Sequence, residues 1–385
     1  MRVLHFYKTF LPETTGGVEQ FIRQLCRSGS DHGIENTVLS LTRKHSATST
    51  ETEGFLVHSA KRDMEIASTG FSFSALSRFR ELTRQADIVH YHFPWPFMDM
   101  AHFATRVRKP SVVTYHSDIV RQQLLLRLYR PLKRRFLDSV DRIVATSPQY
   151  AASSPVLKDY AHKVDVIPIG LDRAAYPPTD SERIEHWRQR VGNKFFLFVG
   201  VFRYYKGLHL LLDAAKRCGH PVVLVGEGPE EERLRKQARV LSLDNVIFAG
   251  QLPDADKSAL LTLCHAVVMP SSHRSEAFCI SLLEGAMFGR PMISTAIGTG
   301  TSHVNQHGVT GIVVPPNDAA ALADAMQTLW HDTAMAARMG EDAMSRWERL
   351  FLAGRVAQRY HTLYAELLDT HAVGQPFTRG TRSVP

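Results

Sequence analysis

The chain is predicted to fold as two α/β domains, each built on a parallel sheet, with a ligand cleft between them. Three observations lead there. Its 385 residues exceed one typical domain and suffice for two, each with its own core. Short apolar runs of strand length alternate with amphipathic stretches, the pattern of successive βαβ units. That pattern stops once, at Pro168-Ile169-Gly170-Leu171-Asp172 followed by Tyr176-Pro177-Pro178, and then begins again.

In the first half, strands are expected over residues 3–7, 37–41, 55–59, 88–92, 112–116, 143–146 and 164–169. The second series runs over 195–200, 222–226, 246–250, 266–270, 292–296 and 312–315. The expected organisation is an amino-terminal domain over 1–172 and a second domain over 173–352. A helix over 353–371 crosses back to the first domain, and a tail over 372–385, rich in Gly, Thr, Arg and Pro, lacks stable order.

With 44% hydrophobic and 22% charged residues, the composition is that of a soluble globular protein. The opening run is interrupted by Arg2 and His5 and so reads as a first strand, not a signal peptide. No stretch reaches the roughly 20 apolar residues of a membrane span, which leaves only peripheral membrane contact. Cys26, Cys218, Cys264 and Cys279 show neither metal-site nor disulfide-framework spacing, pointing to a reducing cytoplasm and no structural metal. The net charge of +8 asks for an acidic partner, whether nucleic acid, an anionic lipid surface or a phosphorylated small molecule.

One amphipathic helix, expected over 120–140, carries Arg121, Arg127, Arg130, Lys133, Arg134 and Arg135 around Leu124, Leu125, Leu126, Leu128 and Leu132. Pro131 is expected to kink or divide it. Two readings stand side by side: a core helix with a solvated basic face, and an interfacial element approaching anionic headgroups.

Three clusters carry chemistry. Thr14-Thr15-Gly16-Gly17-Val18-Glu19-Gln20 follows the first strand and opens a helix, so its glycines let backbone approach a ligand at a helix N-terminus. It is not the GxGxxG of a dinucleotide-binding dehydrogenase. Phe198-Val199-Gly200-Val201-Phe202-Arg203-Tyr204-Tyr205-Lys206-Gly207 runs from a strand into a glycine turn, presenting two cations where a pyrophosphate would be neutralised. Met269-Pro270-Ser271-Ser272 leads to Glu276, then Ala277-Phe278-Cys279-Ile280-Ser281-Leu282-Leu283, then Glu284-Gly285-Ala286. If the helix begins near Phe278, its free N–H groups can hold phosphate oxygens. The rise between the carboxylates, about 12 Å at most, matches the reach from a sugar to the ribose of a nucleotide sugar. Each cluster also has a plain alternative: an ordinary βα turn carrying glycine for the first, two solvated loop charges for the second, and an acidic helix turn with a surface Glu for the third. Asp254-Ala255-Asp256 mimics a metal-binding DxD, but its place after Pro253 at a helix start predicts N-capping.

The spacing Glu276-x7-Glu284, with Gly16-Gly17, Arg203, Lys206 and the run Val246-Ile247-Phe248-Ala249-Gly250, resembles the retaining family 4 glycosyltransferases, glycosyl transferases group 1. The resemblance extends over nearly the whole chain. It implies the GT-B fold, two Rossmann-like doubly wound domains facing each other across a cleft. It implies that Glu276 contacts hydroxyls of the donor sugar and Glu284 the ribose, while Arg203 and Lys206 stabilise the leaving diphosphate. Phosphate would be held by backbone around Phe278, Cys279, Ile280 and Ser281, and the base by Gly250, Gln251 and Leu252. Gly16 and Gly17 would form the acceptor-side loop near the donor phosphates, and His116 would stand near the donor sugar. Catalytic roles thus fall to Glu276, His116, Lys206 and Arg203. One departure is Gly298-Thr299-Gly300-Thr301-Ser302, where many members carry a glycine pair and a downstream Glu, so a side-chain role there is in doubt.

The resemblance also implies a nucleotide-sugar co-substrate, with no metal or other cofactor. Likeness to bacterial mannosyl- and rhamnosyltransferases of O-polysaccharide assembly favours GDP-mannose or GDP-D-rhamnose as donor. A polyprenyl-diphosphate-linked saccharide would then be the acceptor, at the cytoplasmic face of the inner membrane. Two other classes are weighed: a GT-B sugar-nucleotide epimerase, and a basic nucleic-acid binder, for which no reading surface is found. No nucleic-acid partner is expected, and no oligomeric state is specified.

Overall fold

In the computed structural model, residues 1–14, 16–44, 47–66, 69–119 and 123–373 are described. The chain divides into two compact units. The first comprises Met1–Thr146, Ala151–Gly170 and the helix Ala353–Val373; the second comprises Ser147–Tyr150 and Leu171–Leu352.

The first unit contains strands β1 (Arg2–Phe6), β2 (Glu35–Thr42), β3 (Thr48–Thr52), β4 (Phe55–Lys61), β5 (Met64–Ile66), β6 (Thr69–Phe71), β7 (Ile88–Phe93), β8 (Ser111–Tyr115), β9 (Arg142–Ala145) and β10 (Val164–Val166). Eight of them form one sheet in the order β10-β9-β8-β7-β1-β2-β4-β3, parallel except for the edge pair β3 and β4. β7 is buried along its whole length, so its apolar residues and its period-two histidines, His90 and His92, are both enclosed. β3, by contrast, is exposed at every residue, and β5 and β6 make a separate antiparallel pair. These three strands escape an apolar-run reading because tertiary pairing, not burial, defines them.

The basic helix spans Gln123–Ser139 as one helix with Pro131 inside it, so Pro131 does not divide it. Val120 and Arg121 lie outside the described residues, as does the tail from 374 on. Arg127, Arg130 and Arg134 are exposed beside Leu125 and Leu128, which are 47% and 75% exposed. Lys133 departs from the expected basic face. It is buried, drawn toward Asp99 and Asp118, and burial lowers its ammonium pKa more than those carboxylates raise it. No described helix is long and apolar enough to cross a membrane.

The second unit contains β11 (Phe196–Val199), β12 (Val222–Val225), β13 (Val246–Gly250), β14 (Ala266–Met269), β15 (Met292–Thr295) and β16 (Gly311–Val314). All pair in parallel, in the order β13-β12-β11-β14-β15-β16. Counted within the unit this is the 3-2-1-4-5-6 winding, which reverses between β11 and β14. Doubly wound sheets bind ligands outside the carboxyl ends of the strands at such a reversal. In the first unit the order reverses between β1 and β7.

Candidate functional site

In the second unit, the chain leaving β11 passes Gly200 and Arg203 into a single turn, Tyr204–Lys206. Gly207 follows with φ 69°, and a Cβ there would lie 2.0 Å from the Pro270 carbonyl oxygen. Only glycine permits both that conformation and that approach. The turn therefore rests on the loop leaving β14, where the Ser272 amide donates to the Tyr205 carbonyl over 2.8 Å. Stitched in this way, Lys206 Nζ forms an ion pair with Glu276 Oε2, the side chains being only 12% and 10% exposed. Burial alone would lower the Lys206 pKa, but the Glu276 carboxylate outweighs it and holds the ammonium charged. Arg203 is exposed and makes no ion pair among the described residues.

The peptide carrying Glu276 is clamped from behind by the segment in which a side-chain role was doubtful. The Thr299 hydroxyl donates to the Glu276 carbonyl over 2.7 Å, and the Gly300 amide donates to the Ala277 carbonyl over 2.7 Å. A Cβ on Gly300 would lie 2.7 Å from that same Ala277 oxygen. Thr299 thus has a role toward backbone, which no charge or metal-ligand signal could have flagged.

The following helix begins at Ile280, not near Phe278, and runs to Met287. Cys279 stands at φ 74° and ψ 83°, outside helical space, so the chain cannot enter the helix earlier. Phe278 is buried with its ring 6.1 Å from Phe351, and its side chain is a core group. Burial and the Glu276 charge push the Cys279 thiol up to about 12, which keeps it neutral. The Ser281 hydroxyl donates to the Val199 carbonyl over 2.8 Å, tying the helix start to the end of β11. What the first turn offers a phosphate is its backbone N–H groups, which have no partner inside the helix.

Glu284 is buried farther along this helix, and only the part of the Glu276–Glu284 interval from Ile280 on is helical. Its Oε1 accepts from the Tyr176 hydroxyl over 2.9 Å and lies 3.5 Å from Lys257 Nζ. Gln251 and Leu252 follow β13, the edge strand of the sheet, and the Gln251 amide donates to Glu227 Oε1 over 3.4 Å. The expected N-cap role of Asp254 and Asp256 is not what forms. Pro253 is the cap residue and the helix Asp254–Leu263 has no side-chain cap bond. Asp254 instead pairs with Lys257 at 2.9 Å, and Asp256 accepts from Arg183 and from the Trp187 indole, each over 2.8 Å. Tyr176 had been read as linker, and Lys257 is legible only as a cation three residues beyond Asp254.

In the first unit, Gly16 precedes the helix Gly17–Ser30 as its cap residue, with no side-chain cap bond. A Cβ on Gly16 would lie 2.5 Å from Glu19 Oε2, and Glu19 Oε1 accepts from the hydroxyls of Thr9 and Thr14. Phe21 of that helix meets the His116 ring edge-on at 5.2 Å, which brings the glycine turn and His116 into one neighbourhood. His116 follows β8, is 7% exposed, and shares a 3.2 Å hydrogen bond from its Nε2 to Nδ1 of His92. Burial lowers its pKa to about 3. Behind it lie His5, His90 and His92, which the sequence reading passed over. The signal was the period-two pair His90-x-His92 on a buried strand, with His5 opposite His90 in register.

Residues 15–175 match the Glycosyltransferase Family 4 description, and residues 180–346 match Glycosyl transferases group 1. The chain is 57% identical over 353 residues to D-rhamnosyltransferase WbpZ of Pseudomonas aeruginosa, covering 92% of this chain and 93% of that one. It is 51% identical over 370 residues to O-antigen chain mannosyltransferase C of Escherichia coli, covering 96% and 100%. Among solved structures, sucrose-phosphate synthase from Thermosynechococcus elongatus superposes with a TM-score of 0.80 at 21% identity, over 96% and 99% of the two chains, a likeness of fold. The two Rossmann-like units are those of a GT-B fold, and the chain belongs to the group 1 glycosyltransferases.

Proposed function

We propose that this glycosyltransferase moves mannose or D-rhamnose, with retention of configuration, from a GDP-linked donor to a lipid-linked saccharide in bacterial O-polysaccharide assembly. The observation that carries the reading is its high identity, over nearly full length, to a D-rhamnosyltransferase and an O-antigen mannosyltransferase. In the second unit, Lys206 and Arg203 neutralise the departing diphosphate, and the amides at the start of the helix Ile280–Met287 hold its oxygens. Glu276 orients sugar hydroxyls while anchoring Lys206, and Glu284 holds the ribose with Tyr176 and Lys257 behind it. Neither carboxylate needs to act as nucleophile: a donor phosphate oxygen takes the proton of the incoming hydroxyl on the face the diphosphate leaves. The reaction proceeds without a metal. A panel of GDP- and UDP-sugars with a synthetic lipid-diphosphate acceptor, read by diphosphate release and by NMR of the product's anomeric centre, tests this. Inversion, preference for a UDP-sugar, or release of free altered sugar from donor alone would overturn it; the last would indicate an epimerase.

The lipid-linked acceptor implies work at the cytoplasmic face of a membrane, and the exposed Leu125, Leu128, Arg127, Arg130 and Arg134 favour contact with anionic headgroups. Triple reversal of those three arginines to Glu is expected to abolish binding to anionic vesicles at low salt while sparing turnover on a soluble acceptor. Lys133, being buried, is left intact. Equal vesicle binding by both proteins removes the membrane reading.

A further inference from the structure

Four side chains in the first unit form one hydrogen-bonded line. His5 Nε2 lies 3.0 Å from Asn36 Oδ1, His5 Nδ1 lies 3.1 Å from His92 Nε2, and His92 Nδ1 lies 3.2 Å from His116 Nε2. The line crosses the reversal between β1 and β7 and ends where the chain leaves β8. His5, His92 and Asn36 are buried, and no carboxylate contributes to the electrostatics of the three rings.

The direction of the line is set at its buried end. The Asn36 amide nitrogen donates to the carbonyls of Cys26 at 3.0 Å and Ile34 at 3.4 Å, which can only accept. Its Oδ1 therefore faces His5 and must receive the proton of His5 Nε2. Burial lowers the His5 pKa to about 4 and that of His92 well below its usual value, so each ring is neutral and carries one N–H. With the His5 proton on Nε2, its bare Nδ1 can only accept, and His92 must donate from Nε2. The same step repeats once: the bare Nδ1 of His92 takes the proton of His116 Nε2. Nδ1 of His116 is then left unprotonated, and it has no hydrogen-bond partner among the described residues.

We propose that Asn36, His5 and His92 are positioning residues that fix the proton of His116 on Nε2, so that its Nδ1 accepts a hydrogen bond from a hydroxyl of the donor sugar. The inference rests on the reading that places His116 beside that sugar. Without the relay, His116 would sample both tautomers, and in the wrong one it would oppose a hydroxyl proton with an N–H. Among the described residues, His5, His90 and His92 also bring ring nitrogens within 4.8 Å of one another, as a metal site would. Every one of those nitrogens already has a partner, His90 through Tyr364 and Thr114 at 2.7 Å each.

Protein labelled with ¹⁵N-histidine, observed through long-range proton–nitrogen correlations, tests the tautomers directly. His5, His92 and His116 are each expected with a protonated Nε2 and a pyridine-like Nδ1, assigned by loss of signals in single variants. A protonated Nδ1 on His116, or a stoichiometric divalent metal in the purified protein, overturns the proposal. Kinetics separate its function. His92→Phe fills the space without the relay and is expected to lower kcat about tenfold, with GDP affinity unchanged. His92→Gln supplies one donor and one acceptor and is expected to recover most of that loss. If Phe and Gln variants behave alike, whether both active or both impaired, His92 serves packing alone and the relay fails. If instead His116→Ala turns over like wild type, the placement of His116 beside the sugar fails, whatever the tautomers prove to be.

Discussion

Lys206 and Glu276 form a buried pair in which the carboxylate holds the ammonium charged, and this coupling has a kinetic signature. Burial pushes the Lys206 pKa down and the Glu276 carboxylate, chiefly, pushes it back above the ordinary value. Glu276→Gln removes the upward contribution and leaves the downward one, so the ammonium of the variant holds its proton less firmly. Its kcat/KM is expected to fall about a hundredfold at pH 7 and further as pH rises to 9, while the wild-type profile stays flat on that side. A pH–rate series on both proteins checks this; parallel profiles would show that Lys206 does not depend on Glu276. Glu284 calls for a different outcome, because it is proposed to bind and not to assist departure. Tyr176→Phe removes the 2.9 Å hydroxyl bond to its Oε1. KM for the donor should rise about five- to tenfold at unchanged kcat, measured by diphosphate release. Both carboxylates were legible in the sequence by their spacing, and Lys206 beside them, but the partners of Glu284 were not. Lys257 and Tyr176 are far from Glu284 along the chain, and only the winding of the sheet brings them to it.

At the scale of elements, the candidate site of the second unit is a set of loops held against one another by backbone, and glycines mark where they touch. Gly300→Ala places a Cβ 2.7 Å from the Ala277 oxygen and 2.8 Å from Phe278 Cδ2, both in the segment that follows Glu276. The loop must move, and with it the carboxylate. A loss of about 1–3 kcal/mol of stability in denaturant titration and at least a tenfold drop in kcat are expected. The same substitution at Gly354, where nothing lies within 4 Å, should leave activity unchanged. Equal behaviour of the two variants would mean that the clamp from Thr299 and Gly300 does not position Glu276. Such clamps explain why the sequence misplaced the helix start by two residues. Periodicity marks Phe278 as apolar and compatible with a helix, whereas the positive φ of Cys279 is imposed by the surrounding loops, a tertiary constraint that overrides local preference. The Asp254-Ala255-Asp256 triplet failed as a capping motif for a related reason. Arg183, Trp187 and Lys257 compete for the carboxylates, and charged and indole donors are stronger partners than a first-turn amide.

Across the whole molecule, the alternation of strand and helix made both main sheets readable, while β3, polar throughout, and β5 and β6, only three residues each, left no apolar run of strand length. Charge was legible only as a total; which cations face solvent depends on packing, as Lys133 shows. The buried histidines of the first unit carry a consequence for the entire chain. His5 and His102 are lowered to about 4 and His116 to about 3, in each case by burial, against an ordinary value of 6.5 for the unfolded chain. Between pH 6.5 and 4 the unfolded chain therefore binds protons that the folded chain does not, and stability rises with pH over that window. The contribution is fully present above pH 6.5 and is lost as pH falls, by about 2 kcal/mol for each of the three rings at pH 5. Calorimetry of the full chain should show one transition moving down steeply between pH 7 and 5, the one belonging to the first unit, identified by its response in His5→Asn. The second unit holds His209, His220 and His265, also lowered by burial but only half-buried, so its transition should move less, and added GDP should raise that one alone. A first transition that stays in place from pH 7 to pH 5 would mean the imidazoles are already charged in the fold, and the neutral chain from Asn36 to His116 could not then exist.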